Sequence, residues 1–381
     1  MHKNILIGGA WPYANSDLHL GHVAGLISGD VLARYYRLKG DNVMFVSGTD
    51  CHGTPITERA KKEKRTPKEI AEYYHNRDEE TFKKFDFSYD LYTNTDTEFH
   101  KKVVMKMFKK IYDNGYLYEK IEPQAFCEKC NKFLSDRELK ITCPKCGQET
   151  KAEQCDNCNY VPTIEDWICL ECGSKTVLKD NKNLYLALSK FQKDIEEYVK
   201  KNNLLWRANA KNETDKYLKQ GLIDRAVTRD LDWGVDIPVE GYENKKMYVW
   251  IEAVMGYITA TMKKCEENGA NWEEFWKNEY NPVIYMVHGK DNIVFHSIIL
   301  NSLLMAMKED FHLVNTIVSS EYLNINDEKI SKSKGNGIPA IELVDKYGVN
   351  SLRFHLINNG PEKKDSNFTE EALISTNNGE L

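Results

Sequence analysis

Lys3-Asn4-Ile5-Leu6-Ile7-Gly8-Gly9-Ala10, with His19-Leu20-Gly21-His22 following it, is the stretch that decides the fold. The apolar run Lys3–Ile7 reads as a first strand, which Gly8-Gly9-Ala10 is expected to break. From His22 to Leu38 the residues Val23, Leu26 and Ile27 recur near a 3.6-residue period, which predicts a helix. Asn42-Val43-Met44-Phe45-Val46 then predicts a second strand. Strand, glycine turn, helix and strand form a βαβ opening, and a parallel α/β sheet follows from it.

Outward from that opening, helices are expected over Pro67–Phe85 and Asp96–Asn114. From Glu119 to Val177 the chain becomes Cys-rich and turn-rich, as in an inserted module. Helical patterning returns over Ser189–Lys201 and Glu213–Gly221. Met247–Ile251, Pro282–Val287 and Thr316–Ser319 read as strands. Phe295–Met307 reads as a buried apolar helix, and Ala340–Tyr347 and Val349–Leu356 as further helices. The expected division is 1–118, 119–177, 178–315 and 316–381.

A chain of 381 residues can bury a large core. Its formal net charge of −6 argues against non-specific nucleic-acid binding but leaves room for an RNA held on a local basic patch. Apolar runs stay below the roughly 18–20 residues that span a bilayer, and residues 1–7 lack a signal-peptide pattern. A cytoplasmic location without membrane contact is expected. The lysine-rich stretch Lys61–Lys68 reads as the solvated face of a helix.

A turn that opens a helix after a first strand is an anion-binding design, because free N–H groups and the helix dipole point at phosphate. Gly21 permits close backbone approach there, and His19 and His22 add donors. The polar loop Lys329-Ile330-Ser331-Lys332-Ser333 can close lysine charges over a triphosphate. Taken singly, each motif is equally well an ordinary cap or an exposed loop.

Cysteine usage carries a second signal. Cys127/Cys130, Cys143/Cys146, Cys155/Cys158 and Cys169/Cys172 form four Cys-x-x-Cys pairs. Each is a knuckle, and two knuckles complete one Cys₄ zinc site, so two structural zinc ions are expected. Redox use would call for a single pair at a helix start. Spacing alone does not choose between adjacent and nested pairing. Cys51 neighbours His52, but adjacent residues of an extended segment point to opposite sides, so no nucleophilic thiol is expected.

The paired motifs resemble the HIGH and KMSKS signatures of class I aminoacyl-tRNA synthetases. Pro12-Tyr13-Ala14-Asn15, Gly48-Thr49-Asp50-Cys51-His52-Gly53-Thr54-Pro55-Ile56 and Thr228-Arg229-Asp230-Leu231-Asp232-Trp233-Gly234 narrow the resemblance to methionyl-tRNA synthetases. Tyr248-Val249-Trp250, Gly289-Lys290-Asp291 and Phe295-His296 extend it from Ile5 to about Leu373. The resemblance implies a Rossmann-like doubly wound parallel sheet, split by a zinc-knuckle connective domain. It implies adenylation of methionine by ATP with magnesium, then transfer to tRNA(Met). It places His19, His22, Lys329 and Lys332 in catalysis, and Gly21, Asp291, Ser331 and Ser333 around ATP. It places Asp50 on the substrate ammonium and Trp11, Tyr13, Trp250, Ala253, Tyr257 and His296 around the amino acid. It also favours nested zinc pairing, the middle pairs on one ion and the outer pairs on the other.

Trp11, Val254, Asn292 and Leu300-Asn301 depart from residues common among such enzymes. The chain stops soon after the lysine loop, where the family continues into a helical anticodon-binding domain. Weak or absent anticodon contact is therefore expected. An adenylate-forming paralogue serving a non-tRNA acceptor or a regulatory role is the alternative.

Overall fold

The computed structural model describes residues 2–134, 138–150, 157–158, 163–329 and 338–381, with Lys329 described by its backbone only. Five parallel strands form the central sheet, in the order Thr316–Ser320, Val283–Gly289, β1 (Asn4–Gly9), β2 (Asn42–Thr49), β3 (Leu91–Asn94). The order reverses between β1 and Val283–Gly289, which makes the carboxyl ends of these two strands the topological switch point.

Alternation along β1 explains why both faces are covered. Ile5 and Ile7 pack with Phe45 and with Ala33 of α1 (Leu20–Leu38). Leu6 points the other way, into a cluster with Met44, Val46, Tyr257 and Ile258. Gly8 and Gly9 do not break the strand, contrary to expectation; β1 runs through both. A side chain at Gly8 would place its Cβ 2.6 Å from Met286 Sδ and 2.8 Å from the Tyr257 ring. The glycine is needed for close packing rather than for a turn.

Three further expectations need correction. Met247–Ile251 is not a strand: pairing ends at Met247, and Val249 opens α7 (Val249–Asn268). Its Val249, Ile251, Val254, Met255, Tyr257 and Ile258 are all buried, so the helix has no polar stripe to give it a readable period. Phe295–Met307 is helical, but it begins with a π-turn over Phe295–Ile299 before α8 (Leu300–Met307). Lys61–Lys68 is not one helix face; it joins the end of α2 (Thr54–Glu63) to the start of α3 (Pro67–Lys84).

Between β3 and Val283–Gly289 the chain leaves the sheet. After α4 (Glu98–Asp113), β4 (Leu117–Cys127) pairs antiparallel with Val177–Leu186 along its whole length, from Leu117 opposite Leu186 to Phe126 opposite Val177. This ladder carries the cysteine region at its far end. After the sheet, α10 (Val349–Asn358) packs on α1, and α9 (Ala340–Tyr347) packs on α10 and α3; Leu343, Leu352 and Leu356 share one apolar cluster with Leu20, Val23 and Ile27. Among the described residues no helix is long and apolar enough to cross a membrane.

Asp30 of α1 ties these parts together from a fully buried position. Its carboxylate accepts from the Ser88 N–H at 2.6 Å and the Ser88 hydroxyl at 2.7 Å, and pairs with Arg34 and with Arg353 of α10. Burial opposes the charge, but the Ser88 and arginine bonds hold its pKa below the ordinary carboxylate value. Asp30→Ala strands Arg353 and should lower the unfolding free energy by about 3 kcal/mol in urea titration. A negligible loss would show that the Asp30–Arg353 pair adds nothing to the docking of the C-terminal helices.

Candidate active site

The first motif is a reciprocal helix cap. His19 Nδ1 accepts the N–H of Gly21 at 3.1 Å, and His22 Nδ1 accepts the N–H of His19 at 3.1 Å. Both Nδ1 atoms are acceptors, so each neutral ring carries its proton on Nε2. The rings lie 3.9 Å apart at the amino end of α1. Two N–H donors and the helix dipole therefore share one place, an arrangement suited to phosphate.

The second motif is anchored to the first. Lys329 ends a short strand in which it pairs with Asn324. Beyond the loop, Pro339 bridges His19 and the Ala340 N–H donates to the Leu18 carbonyl at 2.7 Å. Ser331, Lys332 and Ser333 lie outside the described residues. Residues separated by most of the chain thus meet at one backbone junction.

A cavity of about 450 Å³ opens at this junction and at the switch point, lined by Trp11, Tyr13, His19, His22, Trp250 and Asp291 among others. Asp291 accepts the Tyr322 hydroxyl. Lys290 bonds Glu321 at 2.6 Å and Asp365 at 2.9 Å. Tyr322 and Glu321 were not singled out from sequence, where nothing distinguishes them from loop residues; Lys290 was quoted within the Gly289-Lys290-Asp291 motif, but without a role.

Beside this cavity lies the aromatic pocket. Asp50 follows β2, and its backbone is bonded to the 12–14 segment: its N–H donates to Pro12 at 2.7 Å and its carbonyl accepts from Ala14 at 2.9 Å. Trp250, Ala253 and Tyr257 lie on α7 at helical spacing. Tyr13 meets Trp250 edge-on at 5.8 Å. Trp11 reaches the Tyr257 ring at 6.1 Å and fits only because Gly48 and Gly256 lack side chains, which would stand 2.4 and 2.9 Å from the indole. His296 Nδ1 lies 2.8 Å from the Asn292 carbonyl and must donate to it, so Nε2 accepts the Tyr257 hydroxyl at 2.7 Å. Burial lowers the pKa of His296 to about 4, so this neutral tautomer persists. Asn301 supports the π-turn, because its amide donates to the His296 and Ser297 carbonyls and accepts from Val314.

Sequence reading missed the buried charges behind the pocket. His52 bonds Glu252 of α7 at 2.7 Å and Asp96 at 3.3 Å, and both His52 and Glu252 act on Asp50. Burial opposes charge on His52, but Glu252 and Asp96 raise its pKa to about 10. Burial and the Glu252 charge push the Asp50 pKa well up, only partly offset by His52. Asp50 therefore lacks a sufficient cation and suits a ligand that brings one. Trp233 donates from Nε1 to the Cys51 carbonyl at 2.7 Å and fixes this segment. Cys51 is itself buried with its thiol pKa pushed well up by burial, an inert group.

The cysteines form two clusters. Cys127, Cys130, Cys169 and Cys172 have their Sγ atoms within 4.8 Å of one another, and so do Cys143, Cys146 and Cys158. Cys155 lies outside the described residues. The grouping is nested. Closest approaches of 3.4 Å for Cys127–Cys172 and 3.5 Å for Cys143–Cys158 are near the ~3.8 Å that tetrahedral thiolates about 2.3 Å from zinc would show. Both sets fit that ion.

A doubly wound sheet with a capped helix, the chain after the lysine loop docked at Pro339-Ala340 on that cap and a cysteine-bearing insertion is the architecture of a class I tRNA synthetase. The family described as tRNA synthetases class I (M) matches residues 5–381, and the chain belongs to it, the methionyl class I tRNA synthetases. Methionine–tRNA ligase 1 of Alkaliphilus oremlandii is 46% identical over 381 residues, covering 99% of this chain and 70% of that protein. Methionine–tRNA ligase of Bacillus mycoides is 47% identical over 383 residues with the same coverage. In structure the chain is similar to methionyl-tRNA synthetase of Mycobacterium tuberculosis in complex with methionyl-adenylate, with a TM-score of 0.78, 22% identity, and coverage of 100% of this chain and 69% of that one.

The His52 pair has a pH signature. Histidine in the unfolded chain titrates near 6.5 and His52 in the fold at about 10. Its contribution to stability is complete below the lower value and is lost as pH rises through the upper one. Unfolding free energy should thus fall as pH rises across this window, and His52→Gln should flatten that part of the profile. An unchanged slope in the variant would show that His52 is not a cation in the fold.

Proposed function

We propose that the chain activates methionine with ATP and passes the methionyl group to tRNA. The docking of the loop exit, Pro339-Ala340, onto Leu18-His19 carries the reading, because it brings the two phosphate motifs to one place. Relatives at 46–47% identity are methionine–tRNA ligases, and the likeness covers 99% of the chain, which disfavours a non-tRNA acceptor.

In the first step a carboxylate oxygen of methionine attacks the α-phosphorus in line and pyrophosphate leaves. Asp50 receives the ammonium and so aims the carboxylate at the nucleotide. Tyr13, Trp250, Ala253 and Tyr257 enclose the thioether, a soft group that packs well on aromatic rings. His19 and His22 donate from Nε2 to the phosphates, with Gly21 allowing close approach, while Lys329 and Lys332 neutralise the departing pyrophosphate. Asp291, held by Tyr322, takes the ribose, and Ser331 and Ser333 supply loop donors. Magnesium accompanies the ATP. Catalysis by this set is positioning plus stabilisation of phosphate charge.

Two zinc ions are bound by the nested clusters, Cys127/Cys130/Cys169/Cys172 and Cys143/Cys146/Cys155/Cys158. All ligands are protein thiolates, so the metal supplies structure rather than reactivity.

Methionine-dependent pyrophosphate exchange tests the assignment. Lys332→Ala should lower exchange by roughly 10²-fold or more. Asp50→Asn should act mainly on the methionine KM. Unchanged exchange in either variant would remove that residue from the site. Metal analysis should find two zinc ions per chain; Cys172→Ser and Cys146→Ser should each release one and leave the other. Release of both by either substitution would refute independent nested sites.

A further inference from the structure

The strand Val283–Gly289 carries near its end a histidine that the scheme above leaves unused. Ile284, Met286 and His288 alternate toward the face on which α7 packs, and His288 is fully buried there. Its ring stacks on the ring of His296, with centroids 4.3 Å apart and planes 19° from parallel. His288 Nδ1 lies 2.9 Å from the Gly289 carbonyl and must donate to it, so Nε2 carries only a lone pair. That Nε2 is buried with no hydrogen-bond partner among the described residues. A bare buried acceptor is costly, and an apolar side chain of similar size would avoid the cost. The use of this ring therefore lies in the flat face it lays on His296. Two bonds hold His296 at its edges, Nδ1 to the Asn292 carbonyl at 2.8 Å and Nε2 from the Tyr257 hydroxyl at 2.7 Å. Edge bonds at the two nitrogens leave the ring free to tilt about the line that joins them. A second ring against its face removes that freedom. His296 also lies in the π-turn, outside the regular helical ladder, so its backbone restrains it less. Burial and the neighbouring His296 push the His288 pKa well down, so both rings stay neutral and stack without repulsion.

We propose that His288 is a positioning residue for the amino-acid pocket: its ring face holds His296 in the orientation that takes the Tyr257 hydroxyl, and so sets the wall on which the substrate side chain packs. The inference rests on the methionine reading above and adds a residue that acts only through another. Gly289, the next residue, lines the nucleotide cavity, whereas His288 does not. Its effect therefore falls on the amino acid and not on ATP.

Two substitutions separate the ring face from the N–H donor. His288→Asn keeps a donor where Nδ1 stands and lacks the ring, while His288→Phe keeps the ring and lacks the donor. Pyrophosphate exchange is measured over ranges of methionine and of ATP. His288→Asn should raise the methionine KM about 10-fold, with kcat and the ATP KM within about 2-fold, and His288→Phe should recover most of that rise. An unchanged methionine KM in His288→Asn overturns the role. So does an equal loss in both variants, which would assign the effect to the Gly289 bond, and so does a matching change in the ATP KM or kcat. A measurement on the unaltered chain stands whether or not the variants fold. Nitrogen-15 NMR of labelled histidine should show His288 and His296 neutral and protonated on Nδ1 at neutral pH, and a charged ring or the other tautomer at either position overturns the arrangement. An unaltered chain without methionine-dependent exchange overturns the methionine reading itself, and the role of His288 in it.

Discussion

Glu252 is the charge on which the arrangement depends. It sits on α7, fully buried, 2.7 Å from His52 and 3.3 Å from His100. His52 follows β2 and His100 lies on α4, so one carboxylate joins segments before and after the cysteine-bearing insertion. A buried carboxylate is costly without a cation, and His52 supplies it. The same pair sets the electrostatics of Asp50. Glu252 makes ionisation of Asp50 harder and His52 makes it easier, which leaves the Asp50 carboxylate short of a cation. Packing of α7 and the charge state of Asp50 are therefore one problem.

The nucleotide side works through backbone geometry instead. His19 and His22 cap α1 with their Nδ1 atoms, and that duty fixes the tautomer of each ring, with the proton on Nε2. Docking of Ala340 on Leu18 then makes the exit of the lysine loop part of the same structure. Local capping and long-range docking thus converge where the sheet order reverses, at the carboxyl ends of its strands.

Much of this was legible in residue order, and the exceptions have a common cause. α1 was readable because Val23, Leu26 and Ile27, which it buries, recur near a helical period directly after the His19–His22 motif. α7 was not, because burial on nearly all sides erases the period that distinguishes a helix from a strand. Gly8 looked like a turn residue, but its role is to admit Met286 and Tyr257. Asn301 looked like a departure from pattern, and it proves to satisfy carbonyls that the π-turn leaves open.

Sequence alone determined the chemistry available: paired histidines and lysines for phosphate, an acid for an ammonium, thiolates for zinc. Those depend on residue type and local spacing, which are read directly. Tertiary structure decided which groups meet. The antiparallel ladder that sets Phe126 opposite Val177 brings Cys127 and Cys130 to Cys169 and Cys172, and so selects nested over adjacent pairing. The His52–Glu252 pair likewise exists only because α7 crosses behind β2, a contact between distant segments that no local pattern encodes.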